Sequence, residues 1–240
     1  MAYANTFKRR EMKFLLNEEQ YRLITENIAG FMTADSYGLS TIKNIYLDSE
    51  NYDMVRTSIA KPEYKEKLRL RCYGNVTENS PAFLEIKKKY RGVVYKRRLE
   101  MPYKVLYDYV SEGTPPEGIE NRQVFDEIDY CIRRMKLMPK AVIMYDRIAY
   151  YGNEDREFRV TFDGNVRYRT GDTDLRSDLP CMPVTGQPFR IMEIKSADSV
   201  PLKLARLLSE NRIFSVSYSK YGSFYKNRVR QNKAGVIENV

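Results

Sequence analysis

The chain has 240 residues, 42% of them hydrophobic, and its 41 Lys and Arg outweigh 32 Asp and Glu for a net charge of +9; such a surplus favours an anionic partner (phosphate, nucleic acid or a membrane surface) and is silent on fold. There is no His, which excludes imidazole acid–base chemistry, Ser-His-Asp and Cys-His triads, and metal sites built on imidazole. Cys72, Cys131 and Cys181 are odd in number and lack a CxxC pair, and no apolar run of about 18 residues or signal-like N-terminus occurs, so a soluble protein of the reducing cytoplasm is expected, without disulfides, zinc or a membrane span.

Phe7–Leu16 alternates, with Arg9, Glu11 and Lys13 on one face and Met12 and Phe14 on the other, which predicts a strand. Asn17, with Gln20 three residues on, opens a helix carrying Tyr21, Ile24 and Ile28 and stopped by Gly30. Thr41–Leu47 reads as a second strand, and Ser49 as the cap of a short helix reaching about Ile59. Lys65–Tyr73 repeats the first pattern: Lys65, Lys67, Arg69 and Arg71 face one way, Leu68, Leu70 and Cys72 the other. Phe83–Arg98 reads as a hairpin turning at Arg91-Gly92, with seven Lys or Arg and no acid between Glu85 and Glu100. Parity puts Glu85, Lys87 and Lys89 on one face with Lys96 and Arg98, while Lys88, Arg91 and Arg97 turn out to solvent.

Pro102 is placed to begin a helix that Gly113 ends, and Thr114–Glu120 is a loop. Val124, Ile128, Cys131 and Met135 mark an amphipathic helix terminated by Pro139. Three further strands follow: Ala141–Tyr150, with Tyr145 and Arg147 on one face; Glu157–Asp163, with Arg159 and Thr161; and Arg190–Ser196, with Glu193 and Lys195. Ser199 caps a helix bearing Leu204, Leu207 and Leu208, Ser215–Tyr221 leads into a short C-terminal element, and 231–240 read as a frayed tail. No linker interrupts 1–230, which is expected to be one domain.

The strands share an apolar face and a charged face, and the helices carry apolar stripes that need a surface to cover. An α+β architecture uses both: a closed antiparallel sheet of about eight strands, helices outside, charged faces inward. Charged strand faces ordinarily point at solvent. Here the apolar faces are the one large surface the helices could cover, which turns the cations inward. Like charges about 6 Å apart repel by roughly 3 kcal/mol at an effective dielectric near 20. An interior of that kind calls for water, interspersed carboxylates such as Glu11, Glu85 and Glu193, and a polyanion.

From about Phe7 to Tyr221 the chain resembles a VTC domain, the polyphosphate polymerase domain of the triphosphate tunnel metalloenzyme (CYTH-like) superfamily. The resemblance implies an eight-stranded triphosphate tunnel with a divalent metal, Mn²⁺ or Mg²⁺. It matches Lys13 of EMKF, Arg69 and Arg71 of LRLR, Lys87 of LEIKK and Lys96 of YKRR to the family's basic positions. Tyr145 and Arg147 of MYDR, Arg159 of FRVTFD, and Ser219 and Lys220 of YSKY match likewise, the last pair expected at a strand end. Glu193 of MEIK matches the metal-binding glutamate, with Glu11 and Glu85 as assisting carboxylates; Arg98 and Lys195 are neighbouring substrate contacts. Glu85 is also open to a salt bridge with Lys87 or Arg69. One departure stands out: where tunnel phosphohydrolases carry Glu-x-Glu-x-Lys, this chain reads Arg9-Glu11-Lys13, which fits the polymerase branch better.

The activity so implied is transfer of the γ-phosphate of ATP onto a polyphosphate chain. Three alternatives stay open: hydrolysis of triphosphate or a nucleoside triphosphate, a non-catalytic polyphosphate or inositol-phosphate binding module, and a nucleic-acid binder using Tyr64, Tyr73, Tyr90 and Tyr95. Nucleic acid is the weaker expectation as partner. A membrane partner protein is allowed, and oligomeric state is undefined.

Overall fold

In the computed structural model, which describes residues 10–230 apart from 92, 187, 188 and 198, alternation does translate into strands. The order is β1 (Arg10–Leu16), α1 (Glu18–Ile28), β2 (Met32–Ala34), β3 (Ser40–Asp48), α2 (Asp53–Ile59), β4 (Tyr64–Tyr73), β5 (Pro81–Tyr90) and β6 (Val93–Pro102). Then come α3 (Tyr103–Glu112), α4 (Arg122–Met135), β7 (Met138–Gly152), β8 (Arg159–Arg169), β9 (Met182–Pro183), β10 (Arg190–Ser196), α5 (Leu202–Glu210) and α6 (Lys220–Phe224). A turn of π-helix, Tyr225–Arg230, follows α6. The expected strand residues Phe7–Arg9, the turn residue Gly92 and the tail 231–240 lie outside the described residues.

Eight strands form one path, β1-β10-β8-β7-β3-β4-β5-β6, with β2 added on β7 and β9 on β8. Every pairing whose register is described is antiparallel. The eight-stranded α+β sheet expected from the sequence is therefore present, with two short strands added.

The backbone gathers into two compact units. The first comprises Met1–Ser40, Asp146–Asn165 and Gly186–Tyr218, the second Thr41–Tyr145, Val166–Thr185 and Ser219–Val240, so β7 and β8 contribute to both. In the first unit Phe14 and Leu16 of β1, Phe158, Val160 and Phe162 around β8, and Met192 and Ile194 of β10 pack under Ile24 and Ile28 of α1 and Leu204 and Leu208 of α5. In the second, Leu68, Leu70 and Cys72 of β4 and Leu84 and Ile86 of β5 are covered by Leu106 and Tyr109 of α3 and by Val124, Phe125, Ile128 and Cys131 of α4. Each helix stripe thus meets an apolar strand face, and within each unit the charged faces are left on the opposite side.

Local signals held or failed for identifiable reasons. Asn17 and Gln20 form a reciprocal capping box on α1. Gly113 ends α3 at φ 80°, a left-handed backbone that glycine adopts without Cβ strain. Tyr52 is the residue just before α2, but the Ser49 hydroxyl does cap the helix, accepting from the Asp53 N–H at 2.9 Å. The fully buried Asp48 adds to it, its carboxylate accepting from the N–H groups of Ser49, Met54 and Val55. Lys136 in a left-handed conformation ends α4, and Pro139 sits second in β7, where strand starts tolerate proline. Ser199 does not cap α5, whose N-cap is Pro201; the Ser199 carbonyl accepts from Ser196 Oγ. β2 was not foreseen, since three residues are too few to show a period.

Candidate functional site

In the second unit, strand register stacks the basic residues into rows. Asn44 of β3 stands opposite Arg71 of β4, and Tyr46 opposite Arg69. Arg69 faces Glu85 of β5, which faces Arg98 of β6. One step along, Lys67, Lys87 and Lys96 form a row of three lysines, followed by Lys65 and Lys89. Antiparallel pairing of three strands whose cations share one parity produces this ladder directly.

Glu85 is the counter-ion at its centre. Its buried carboxylate accepts from Arg69 Nε at 2.8 Å, lies 2.7 Å from the Arg69 NH2 and 3.8 Å from Arg71 Nε, and bonds Lys96 Nζ. Burial alone would raise its pKa; Arg69, Arg71 and Lys96 instead hold it down to about 2. Of the two salt bridges considered from sequence, the one to Arg69 is made, with Lys96 and Arg71 added. Three cations around one carboxylate already offset most of its negative charge.

The neighbours fix the arginines. Arg71 donates through Nε to Asn44 Oδ1 (3.0 Å) and through NH2 to the Tyr145 hydroxyl (3.1 Å). Arg69 NH1 donates to the Tyr46 hydroxyl at 3.4 Å. Burial pushes the Tyr46 phenol up, but Arg69, Lys67 and Arg71 outweigh it and bring its pKa below the usual tyrosine value. Tyr46 stacks on Tyr221 of α6 with centroids 4.4 Å apart, and the Tyr221 hydroxyl donates to Asp48 (3.1 Å). Ser219 is not at a strand end: it is the N-cap of α6, its Oγ accepting from Gly222 N and from Lys67 Nζ at 2.8 Å. Lys220, first residue of that helix and buried, places its Nζ 4.3 Å from the centroid of the Tyr145 ring.

The first unit carries a more acidic cluster. Lys13 stands opposite Glu193, and Glu193 opposite Thr161; Glu11 stands opposite Lys195, and Lys195 opposite Arg159. Lys13 Nζ lies 3.3 Å from both Glu11 Oε1 and Glu193 Oε1, and donates to the Tyr218 carbonyl at 3.4 Å. Arg147 forks onto the fully buried Asp163, at 2.5 Å from Nε and 2.7 Å from NH2, with Glu193 Oε2 3.7 Å away. Thr161 Oγ1 is buried without a hydrogen-bond partner among the described residues. Arg159 is exposed at the start of β8.

Sequence-predicted residues therefore fall into two groups. Arg69, Arg71, Lys87, Lys96, Arg98, Tyr145, Ser219 and Lys220 belong to the second unit with Glu85; Lys13, Glu11, Arg147, Arg159, Glu193 and Lys195 belong to the first. Sequence reasoning left out Asn44, Tyr46 and Asp163, and used Lys67 only as part of a pattern. The signal for Asn44 and Tyr46 lay in Ile45 and Leu47, whose burial turns their neighbours to the charged face. Lys88 and Arg97 do turn away from the lysine row, yet they are ion-paired: both bond Glu127 of α4, at 2.8 and 3.1 Å, and Arg91 bonds Glu63 at 2.6 Å.

Among the described residues no three or more Cys, Asp or Glu are gathered as a protein-only metal cage. Glu11, Glu193 and the unpaired Thr161 hydroxyl nonetheless form a hard-oxygen set. That suits Mg²⁺ or Mn²⁺, which bind through one or two carboxylates and take the rest from water and phosphate.

The profile of the VTC domain family matches residues 8–227. The chain belongs to that family. Subunit 2 of the vacuolar transporter chaperone complex of Saccharomyces cerevisiae is 23% identical over 155 residues, which span 55% of this chain and 19% of the yeast protein. Among solved structures, a candidate adenylate cyclase from Bacillus halodurans aligns with TM-score 0.54 and 12% identity over 87% of this chain and 92% of its own. A candidate adenylyl cyclase from Hippeastrum, described as having a dominant triphosphatase activity, aligns with TM-score 0.54 and 17% identity over 90% and 94%. A Pyrococcus horikoshii protein aligns with TM-score 0.51 and 15% identity over 92% and 99%. At these identities the likeness is one of fold, and this VTC domain has the triphosphate tunnel fold.

No described helix is long and apolar enough to cross a membrane.

Proposed function

We propose that this VTC domain is a polyphosphate polymerase-like phosphotransferase that moves the γ-phosphate of ATP onto a growing polyphosphate chain, the chain up to residue 230 working as one domain in the cytoplasm. The observation that carries the reading is the ladder of Lys67, Arg69, Arg71, Lys87 and Lys96 around one carboxylate, Glu85. Cations ordered this closely repel one another, an anion of matching charge density relieves that repulsion, and a phosphate chain offers one charge per phosphate.

Phosphoryl transfer asks mainly for alignment and for neutralisation of non-bridging oxygens. Arg69 and Arg71 supply planar forks, pre-aimed by Glu85, Asn44 and Tyr145, while Lys87, Lys96 and Lys220 act as point charges. Lys13, Arg147, Arg159 and Lys195 serve the same role in the first unit, with Tyr145, Ser219 and Arg98 as further contacts. Glu193 and Glu11, with Thr161, would hold a Mn²⁺ or Mg²⁺ ion, which supplies charge neutralisation at phosphate oxygens. The absence of His is no obstacle, because an attacking terminal phosphate is already ionised.

Hydrolysis of triphosphate is the second reading, favoured by the activity described for the Hippeastrum protein of the same fold. Incubation with ATP and Mn²⁺ followed by product sizing separates the two: long chains for the polymerase, free phosphate for the hydrolase. Arg69→Ala and Lys220→Ala are each expected to lower product formation on the order of a hundredfold or more, with the melting transition retained. Undiminished yield from both variants would overturn the site.

A further inference from the structure

The far end of the β4–β5–β6 ladder is not made like the rest. Beyond the row of three lysines the cross-strand partners become Tyr64, Tyr90 and Val93 on one face, and Lys65, Lys89 and Val94 on the other. Tyr95 follows opposite Lys88. Tyr64, Tyr90, Val93 and Tyr95 share one face, and Val94 lies on the other with Lys65 and Lys89; all five are between 42% and 53% exposed. Scattered exposed apolar residues are ordinary; four on one face at the ends of three adjacent strands, with Val94 behind them, form an apolar tip.

Positive charge gathers on the opposite face of the same tip: Lys65 stands opposite Lys89 beside Val94, with Lys87 two residues along that face. Burial, then Lys89, Lys61 and Lys87, lowers the pKa of the Lys65 ammonium. The nearby acids are committed: Glu63 to Arg91, and the buried Glu66 to Tyr64 and Arg134.

We infer that this hairpin end is a docking surface for an anionic lipid bilayer, with Val93, Val94 and the tyrosines entering the headgroup region and the lysines contacting acidic lipids. The combination decides the partner. A free phosphate chain would use the lysines and gain nothing from two valines. A nucleic acid could stack bases on the tyrosines but not on the valines. A second copy of the chain would set one lysine cluster against another, which costs energy. An acidic membrane rewards both components: apolar burial, and attraction between its anionic headgroups and each Lys or Arg near the surface. Tyrosine, apolar in body and polar at its tip, suits that boundary.

The inference stands apart from the activity proposed above and is tested without it. The chain has no Trp, so Val93→Trp makes a fluorophore that reports on this end alone. With vesicles of phosphatidylcholine and phosphatidylserine in equal parts, its emission is expected to shift to the blue, and neither phosphatidylcholine vesicles nor a single-stranded RNA should produce that shift. Val93→Asp combined with Val94→Asp, both at exposed positions, should keep the melting transition and lower co-sedimentation with the acidic vesicles about tenfold or more. Val93→Ser with Val94→Ser is the milder companion and should weaken it in the same direction. Unshifted emission with acidic vesicles, an equal shift with RNA, or undiminished sedimentation of both double variants would overturn the inference.

Discussion

The two units solve the same problem, charged side chains on a strand face, with opposite balances. In the second unit one carboxylate, Glu85, is shared by Arg69, Arg71 and Lys96, while Lys65, Lys67, Lys87 and Lys89 extend the row. In the first unit a single lysine, Lys13, is held between Glu11 and Glu193, and Arg147 is spent on Asp163. The first cluster is near charge balance; the second is organised but carries more cations than its one central carboxylate. Under the proposed function each therefore takes a different ligand: an anion at the ladder, a hard cation at the carboxylate pair.

That contrast can be broken most severely at Glu85. Its folded pKa, about 2, lies below its ordinary value of 4.5. A carboxyl depressed in this way contributes stability that is complete above the unfolded value and is lost as pH falls through the folded one. Replacing it by Gln is expected to cost about 3 kcal/mol of unfolding free energy near neutrality, because the cations lose their internal counter-ion. The difference between wild type and Glu85→Gln, followed by denaturant melts, should shrink between pH 4.5 and about 2. A difference that stays constant across that window would contradict the counter-ion role.

A smaller change sharpens the comparison from the other unit. Glu193→Gln should weaken Mn²⁺ binding by at least about tenfold, measured by titration of the ion's paramagnetic signal. Glu85→Gln should leave that affinity within about twofold, since its carboxylate faces cations. Equal losses in both variants would put Glu85 back among the metal ligands.

Legibility in the sequence followed the strength of each period. The ladder was readable because Leu68, Leu70 and Cys72 alternate with Lys67, Arg69 and Arg71, and Leu84 and Ile86 with Glu85 and Lys87, so parity alone put Arg69, Arg71, Glu85 and Lys87 on one face. Parity also separated Lys88 and Arg97 from that face, but it carries no information about α4, whose Glu127 pairs with both. The partnership of Asp163 with Arg147 was equally hidden, since it joins strands β7 and β8 across a loop and no local pattern encodes it. Helix caps were legible only in part: Ser49 caps α2 through the Asp53 N–H, but the N–H groups of Met54 and Val55 go to Asp48, six residues before Met54. Ser219, expected at a strand end, starts α6 instead, and its hydroxyl accepts from Lys67, a contact 152 residues away in sequence. Assignment of the VTC motif residues to their roles rests on the family resemblance, with parity supporting most of them and Ser219-Lys220 lying beyond its reach.

The central claim is that the ladder of the second unit is built for a phosphate chain. Equilibrium binding of tripolyphosphate, measured calorimetrically at a series of salt concentrations, tests it most directly. The account predicts tight binding that weakens steeply with salt, as several cation–phosphate contacts require, and that falls on the order of a hundredfold when Arg69 and Arg71 are both replaced by Ala in a protein that still melts cooperatively. Weak binding indifferent to salt, or affinity unchanged by the double replacement, would contradict it.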